Sequence, residues 1–375
     1  MASAMMMVTC AGGVAPMLAQ ELAGLGLEPE IESPSAVRVH GDAAAMMNIC
    51  LQCRTAHRVL WLIREQSAPT PETLYDRTHH FPWEEWISSE RPLTITASGQ
   101  FKCAKDTRFA ALKVKDAVVD RLREKTGQRP DTGSDRNGSV IHIHGNGKDV
   151  AWYLDAAGQP LAYRGYRLAA GPAPMRESLA AACLIRCGWQ GEVPLINPMC
   201  GSGTIAIEAA LIACGVAPGL LRESFAFRHW IQTDSEQWET FRAQAKASRQ
   251  TSQTCRILAS DRDPRAVERA QQNAERAGVR DRIEWSVSDY RKASMPEGDG
   301  LILMNPEYGV RMGQDAGLDR HYQEIGWFWR DHAQGKTAAL FCGNPERAIR
   351  LGLAPARQTL LYNGNLECRL FEYRL

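Results

Sequence analysis

Two short stretches of this 375-residue chain combine residue types that could do chemistry together. The first, Asn305-Pro306-Glu307-Tyr308-Gly309, follows the apolar run Leu301–Met304. Asparagine, then proline, then an aromatic suits methylation of an exocyclic base amine. Such a nitrogen is a poor nucleophile, because its lone pair is delocalised into the ring. The Asn305 side-chain oxygen and the Pro306 carbonyl can each accept one amine proton. That turns the lone pair toward an electrophile and stabilises the positive charge growing on nitrogen. Tyr308 can stack on a base turned out of its helix, worth about 1–3 kcal/mol. No general base is required. Asn-Pro most often marks a plain turn, and it is the position at a strand end that argues for chemistry here.

The second stretch is Ile196-Asn197-Pro198-Met199-Cys200-Gly201-Ser202-Gly203-Thr204. It follows an apolar run and precedes the helix-forming segment Thr204–Cys214. Gly201 and Gly203 let the backbone turn sharply and approach a ligand. The helix start offers free N–H groups to a carboxylate. Asp261, after Ile257-Leu258-Ala259-Ser260, is placed to accept both hydroxyls of a ribose. Asp289 is placed to accept an adenine amine. A dinucleotide is the competing ligand, but the GxGxxG pattern is absent, since Gly203 is followed by Thr204-Ile205-Ala206. No Lys-Ser/Thr follows as in a phosphate-binding loop. S-adenosylmethionine has no phosphates and needs fewer glycines, so it is the expected cofactor. The binding set is Asn197, Pro198, Cys200, Gly201, Ser202, Gly203, Thr204, Asp261, Asp289 and Asn305. The catalytic set is Asn305, Pro306, Glu307 and Tyr308.

Elements must position these residues. From about residue 155 apolar runs alternate with helix-like segments: Val193–Ile196, Thr204–Cys214, Arg256–Ser260, Pro264–Ala277, Ile283–Val287, Gly300–Met304 and Thr337–Phe341. That alternation predicts βαβ units and a mostly parallel sheet. Arg357–Tyr362 and Leu366–Tyr373 flank Asn363-Gly364, a hairpin signal, so the sheet should end in an antiparallel pair. Ahead lie two smaller α+β units. The first, residues 1–65, reads as strand, helix Ala15–Leu25, strand Val37–His40, and a helix from Ala43 running into a strand near Val59–Ile63. The second, residues 66–154, has strand Leu93–Ala97, helix Arg108–Lys125 and strand Ser139–His144. The expected fold is α/β, with a Rossmann-like, seven-stranded domain over residues 155–375.

Composition narrows the class. Charged residues make up 23% and hydrophobic ones 44%, ordinary for a globular protein. The sequence has no apolar run near the ~20 residues that span a bilayer, and its start lacks the features of a signal peptide. Eleven scattered cysteines do not suggest a disulfide framework. A cytoplasmic location without membrane contact is expected. Net charge is +1, but residues 101–150 hold eleven Lys/Arg against seven Asp/Glu. Lys102, Lys105, Arg108, Lys113 and Lys115 are candidate phosphate contacts, with a solvated helix face as the alternative.

Taken together, the motifs resemble the THUMP-containing guanine-N2 RNA methyltransferases, and in particular the N-terminal half of their 23S ribosomal RNA members. The resemblance rests on Arg54-Thr55-Ala56-His57-Arg58-Val59-Leu60, Tyr163-Arg164-Gly165-Tyr166-Arg167 and Met175-Arg176-Glu177-Ser178-Leu179-Ala180-Ala181. It continues through Asn197–Thr204, Ile207-Glu208-Ala209-Ala210, Ala217-Pro218-Gly219, Asn305–Gly313 and Asn363-Gly364. It implies a ferredoxin-like domain, a THUMP domain and a class I S-adenosylmethionine methyltransferase domain. It implies folded RNA as partner, ribosomal first and transfer RNA second, and no metal. The cofactor is implied to touch the glycine loop, Asp261 and Asp289. Oligomeric state is not implied.

The chain departs from the family pattern in places. Asn197 stands where the family has Asp, and Glu307 stands where it has a second proline. Two readings of Glu307 remain open: its carboxylate accepts the N1–H and N2–H edge of guanine, or it is a surface residue in a weakened loop. The second catalytic module of some ribosomal members is not expected here. Cys50-x2-Cys53 with His57 is half a zinc pattern and reads better as core. Cys200 reads as structural rather than nucleophilic. His142 and His144 suit packing or an edge, and Arg54 and Arg58 suit phosphate or ion pairs. Phe225, Phe227 and Trp230 cover a base pocket or fill a core. An adenine-N6 methyltransferase and a non-catalytic RNA-binding assembly factor are the competing functions.

Overall fold

The computed structural model describes residues 2–167, 175–249, 255–307 and 315–375. The chain forms two compact units. One comprises Met1–Cys10, Ala19–Leu161 and Arg222–Ala243; the other comprises Ala11–Leu18, Ala162–Leu221 and Gln244–Leu375.

The first unit is built on one seven-stranded sheet. Its strands are β1 (Ala4–Thr9), β2 (Glu30–Ser33), β3 (Ala36–Gly41), β4 (Arg58–Ser67), β5 (Leu93–Phe101), β6 (Ser139–Gly147) and β7 (Asp149–Asp155). Their order is β2-β3-β1-β4-β7-β6-β5. Only β5 and β6 pair in parallel; the other neighbours are antiparallel. The two α+β units read from the sequence therefore share a sheet. β4 joins them, pairing with β1 on one side and β7 on the other. One face is apolar by alternation, with Met6, Val8, Val37, Val39, Val59 and Trp61 all buried. The helices have clear stops and starts. Asp42 caps helix Ala43–Gln52 by accepting from the Ala45 N–H at 2.9 Å. Asp106 does the same for helix Thr107–Thr126, which ends at the left-handed Gly127.

The stretch 222–243 packs with this unit. The Arg222 guanidinium donates to the carbonyls of Ala157, Gln159 and Pro160 at 2.8–3.1 Å. The Phe227 N–H donates to the Ala156 carbonyl. Phe225, Phe227 and Trp238 form a buried aromatic cluster with ring centroids 5.0–5.4 Å apart. Trp230 is 3% exposed and bridges to Ile87. Of the two roles open to Phe225, Phe227 and Trp230, the structure assigns the core.

The second unit holds β8 (Leu195–Pro198), β9 (Ile257–Asp261), β10 (Glu284–Val287), β11 (Leu301–Met304), β12 (Thr337–Cys342), β13 (Arg357–Asn363) and β14 (Leu366–Arg374). Their order is β10-β9-β8-β11-β12-β14-β13. The first five run parallel; β14 is antiparallel to both its neighbours. This is the expected seven-stranded α/β fold with its terminal hairpin. The hairpin turn is Gly364-Asn365, one residue later than the Asn-Gly pair suggested, because Asn363 itself pairs with Leu366. Gly364 has φ of 65° as first turn residue, which a type II′ turn requires. β8 and β11 are fully buried four-residue runs, as central parallel strands must be. Helix Asp315–His332 packs Tyr322, Ile325 and Trp329 against Ile196, Ile302 and Leu340.

Candidate active site

Strand order in the second unit reverses between β8 and β11. Chain direction runs outward from β8 through β9 to β10, then returns to β11 and β12. In open parallel sheets such a switch point, at the carboxyl ends of the strands, is the usual ligand site. Both motifs lie at these two strand ends.

The glycine loop is held from several sides. Met199 has φ of 78°, rare for a residue with a side chain, and the N–H groups of Met199 and Cys200 both donate to the Ser260 carbonyl at 2.8 Å. Gly201 and Gly203 have φ of 54° and 81°. A Cβ on Gly203 would lie 2.9 Å from the Ala270 Cβ, so glycine lets the helix Pro264–Arg276 approach. A Cβ on Gly201 would meet nothing within 4 Å. Helix Thr204–Ala213 then begins with Gly203 as its N-cap and no side-chain cap, leaving its first N–H groups available.

Asp261 closes the loop from β9. Its carboxylate accepts the Gly201 N–H at 2.9 Å and the Asp263 N–H at 3.0 Å. Sequence reasoning missed two further clamps. The buried Asn273 amide donates to the Ser202 carbonyl at 3.0 Å. Arg167 donates to Ser202 Oγ at 3.4 Å and Thr204 Oγ1 at 3.1 Å, and pairs with Glu177 at 3.1 Å. No local pattern announces either; both contacts join distant segments.

Asn197 is wholly buried, and its Nδ2 donates to the Leu303 carbonyl at 2.8 Å, linking β8 to β11. A carboxylate, the family's residue here, could not donate that bond. The Asn197 Oδ1 is buried without a hydrogen-bond partner among the described residues. Cys200 is also buried, and burial, then the Asp261 charge, pushes its thiol well above the usual range. It is therefore protonated and unsuited to nucleophilic attack.

Asp289 follows β10, and the Ser288 N–H donates to the Asp261 carbonyl at 3.0 Å. The Asp289 oxygens are bracketed by the Arg291 guanidinium at 2.8 and 2.9 Å. These hydrogen bonds hold its carboxyl below the ordinary range. At the end of β11, Asn305 is half-buried, Pro306 buried and Glu307 exposed. The buried Tyr322 hydroxyl donates to the Glu307 carbonyl at 3.4 Å and lies 3.2 Å from Cys342 Sγ, anchoring the loop. Tyr308 lies outside the described residues.

The remaining candidates lie in the first unit. Arg58 pairs with the buried Asp155 and donates to the Gly158 carbonyl at 3.1 Å, a structural role. His142 bonds Thr96 Oγ1 at 2.8 Å and Ser98 Oγ at 2.9 Å; burial lowers its pKa to about 4. Cys50 and Cys53 are buried, and no described residues form a group of three or more His, Cys, Asp or Glu placed to hold a metal. Lys115 pairs with Asp116 at 2.6 Å, and Lys113 sits 5.5 Å over the Tyr75 ring. Lys102, Lys105 and Arg108 are exposed, beside the exposed Phe109 and Leu112. No described helix is long and apolar enough to cross a membrane.

Comparison with known proteins agrees with this architecture. Residues 164–372 match the model of the RMKL-like methyltransferase domain, residues 5–60 that of the RlmL ferredoxin-like domain, and residues 68–153 that of the THUMP domain. The ribosomal RNA large subunit methyltransferase K/L of Psychromonas ingrahamii is 38% identical over 98% of this chain and 50% of its own length. The chain thus spans about half the length of the curated relatives it matches. A protein described as a putative methyltransferase complexed with SAH is 26% identical, with a TM-score of 0.89 over 99% of this chain and 98% of that one. A protein from Listeria monocytogenes, described as a predicted N6-adenine-specific DNA methylase, is 28% identical, with a TM-score of 0.88 over 99% and 96% of the two chains.

Proposed function

This chain belongs to the RMKL-like methyltransferase domain family, and from that premise we propose that it methylates the exocyclic N2 amine of a guanine in large-subunit ribosomal RNA, with S-adenosylmethionine as methyl donor. The observation that carries the reading is the pairing of two strand ends. The glycine loop closes on Asp261 after β8, and Asn305-Pro306-Glu307 follows the adjacent β11.

The residues suit the cofactor. The uncapped helix start and the open side of Gly201 offer donors and space in one loop. Asn197, Pro198, Cys200, Gly201, Ser202, Gly203 and Thr204 would line the amino-acid end. Asp261 would take the ribose hydroxyls. Asp289 would take the adenine amine, sharing its carboxylate with Arg291. When bound, S-adenosylmethionine supplies an electrophilic methyl group on a sulfonium.

This chain's own residues do the rest. The Asn305 side-chain oxygen and the Pro306 carbonyl accept the two amine protons and stabilise the charge that builds on nitrogen. Tyr322 positions this loop through the Glu307 carbonyl. Tyr308 stacks on the base. The Glu307 carboxylate accepts the N1–H beside that amine and so reads the guanine edge, for which its exposure leaves it available. Lys102, Lys105 and Arg108 contact the RNA backbone. The domain boundaries we adopt for these roles are 1–65, 66–154 and 155–375, with 222–243 serving the RNA-binding part. The reading places the protein in the cytoplasm.

The test is methyl transfer from labelled S-adenosylmethionine to purified ribosomal and transfer RNA, followed by nucleoside analysis. N2-methylguanosine in ribosomal RNA is expected. N6-methyladenosine would replace guanine by adenine, and transfer to duplex DNA alone would overturn the RNA substrate. Cofactor binding without transfer to any RNA would leave a binding factor. Glu307→Pro tests the guanine-reading role: a rise in activity would sink it.

A further inference from the structure

Arg167 lies outside both motifs, yet its guanidinium touches two side chains of the glycine loop. Its guanidinium has five N–H donors in a fixed plane. Nε donates to Glu177 Oε1 at 3.1 Å; Nη2 donates to the Met175 carbonyl at 2.9 Å and Thr204 Oγ1 at 3.1 Å; Nη1 reaches Ser202 Oγ at 3.4 Å. Four donors are thus engaged, and one Nη1 N–H has no partner among the described residues. Glu177 is 3% exposed and the Arg167 side chain 15%. A cation so poorly hydrated, fixed by a buried carboxylate and a carbonyl, cannot swing away. It faces the two hydroxyls that flank the uncapped start of helix Thr204–Ala213. Donor N–H groups, two hydroxyls and a fixed positive charge converge on one spot, which is the chemistry of a carboxylate receptor.

We propose that Arg167 is a specificity-determining cofactor contact: it receives the methionine carboxylate of S-adenosylmethionine, with Glu177 as its positioning residue. This rests on the cofactor reading above. Arg167 distinguishes a nucleoside carrying a whole amino acid from one that has lost its carboxylate. Ser202 and Thr204 extend the same receptor, since a hydroxyl that accepts from Arg167 still has its own proton to donate. Glu177 keeps the guanidinium plane in register.

The experiment pairs a side-chain change with a ligand change. Affinities of the whole chain and of Arg167→Gln are measured for S-adenosylmethionine and for decarboxylated S-adenosylmethionine, which differ only in that carboxylate. Arg167→Gln should weaken S-adenosylmethionine about 10- to 100-fold, the value of one charge-assisted contact, and leave the decarboxylated ligand within about twofold. Equal losses for both ligands would reduce Arg167 to a loop clamp and overturn the proposal, as would no loss for either. If Arg167→Gln does not fold, Arg167→Lys keeps the charge but not the fork, and it should show the same selectivity at smaller size; equal losses there overturn the proposal too. If the unaltered chain binds neither ligand, the cofactor reading fails rather than the role of Arg167.

Discussion

The two sheets have the same number of strands and opposite consequences for function. In the first unit six neighbouring pairs include only one parallel pair, so loops leave from both edges and no edge gathers the polar residues. Its buried charges, such as Asp155 with Arg58, are spent on holding the sheet together. In the second unit five parallel strands end on one side, and their carboxyl ends and the residues just after them carry Asn197, Asp261, Asp289 and Asn305 to that side. The difference teaches that strand direction, more than composition, decides where chemistry can assemble. An antiparallel sheet offers a surface; a parallel one offers an edge.

That contrast can be broken at its strongest point first. Asn305→Ala should lower kcat about 100- to 1000-fold, the usual cost of losing one group that stabilises transition-state charge. Methyl transfer to RNA measures it, and a change under threefold would remove the chemistry from the β11 edge. Next, Gly203→Ala should cost about 3 kcal/mol in denaturant unfolding, from left-handed strain and the 2.9 Å approach to Ala270. Gly201→Ala has the same strain but open space, and should cost only about 1 kcal/mol. Equal costs would mean that the loop does not distinguish packing from ligand space.

The antiparallel unit should respond to pH instead. His142 has a folded pKa of about 4, below its ordinary value near 6.5, so the unfolded chain takes up the proton first. Stability is therefore full above about pH 6.5 and is lost as pH falls toward 4, by about 3 kcal/mol. His142→Gln should flatten that part of the stability curve. A curve unchanged by this substitution would place the acid sensitivity elsewhere. A modest effect is expected on RNA. Changing Lys102, Lys105 and Arg108 to alanine together should weaken RNA binding about tenfold and reduce its salt slope by roughly 2. Cofactor affinity should not move; if it did, the division of labour between the units would be wrong.

Legibility in the sequence followed locality. The fold class was readable, because buried parallel strands are apolar runs and the helices between them have capping residues, such as Asp263 before Pro264. β2, with the polar sequence Glu30–Ser33, and β7, apolar without alternation, gave no pattern and were missed. The boundary near residue 65 cut through β4, since a strand used by both halves of a sheet looks like the end of one and the start of the next. In the site, the glycine loop and the Asn-Pro turn announce themselves by spacing. Asn273 on Ser202, Tyr322 on the Glu307 carbonyl and the Arg291 bracket on Asp289 do not. The first two are tertiary contacts that no window of sequence contains; the third is local, but one Arg two residues from an Asp is too common to signify.

The return of residues 222–243 to the first unit has a consequence for biosynthesis. A ribosome emits the chain from its amino end, so β1 to β7 emerge early but lack the Phe225–Phe227–Trp238 cluster until β8 and helix Thr204–Ala213 have also been made. The amino-terminal unit cannot be complete until residue 243 has been made. Its last piece arrives only after the first strand of the catalytic sheet, and the two bodies must complete themselves in overlap rather than in turn.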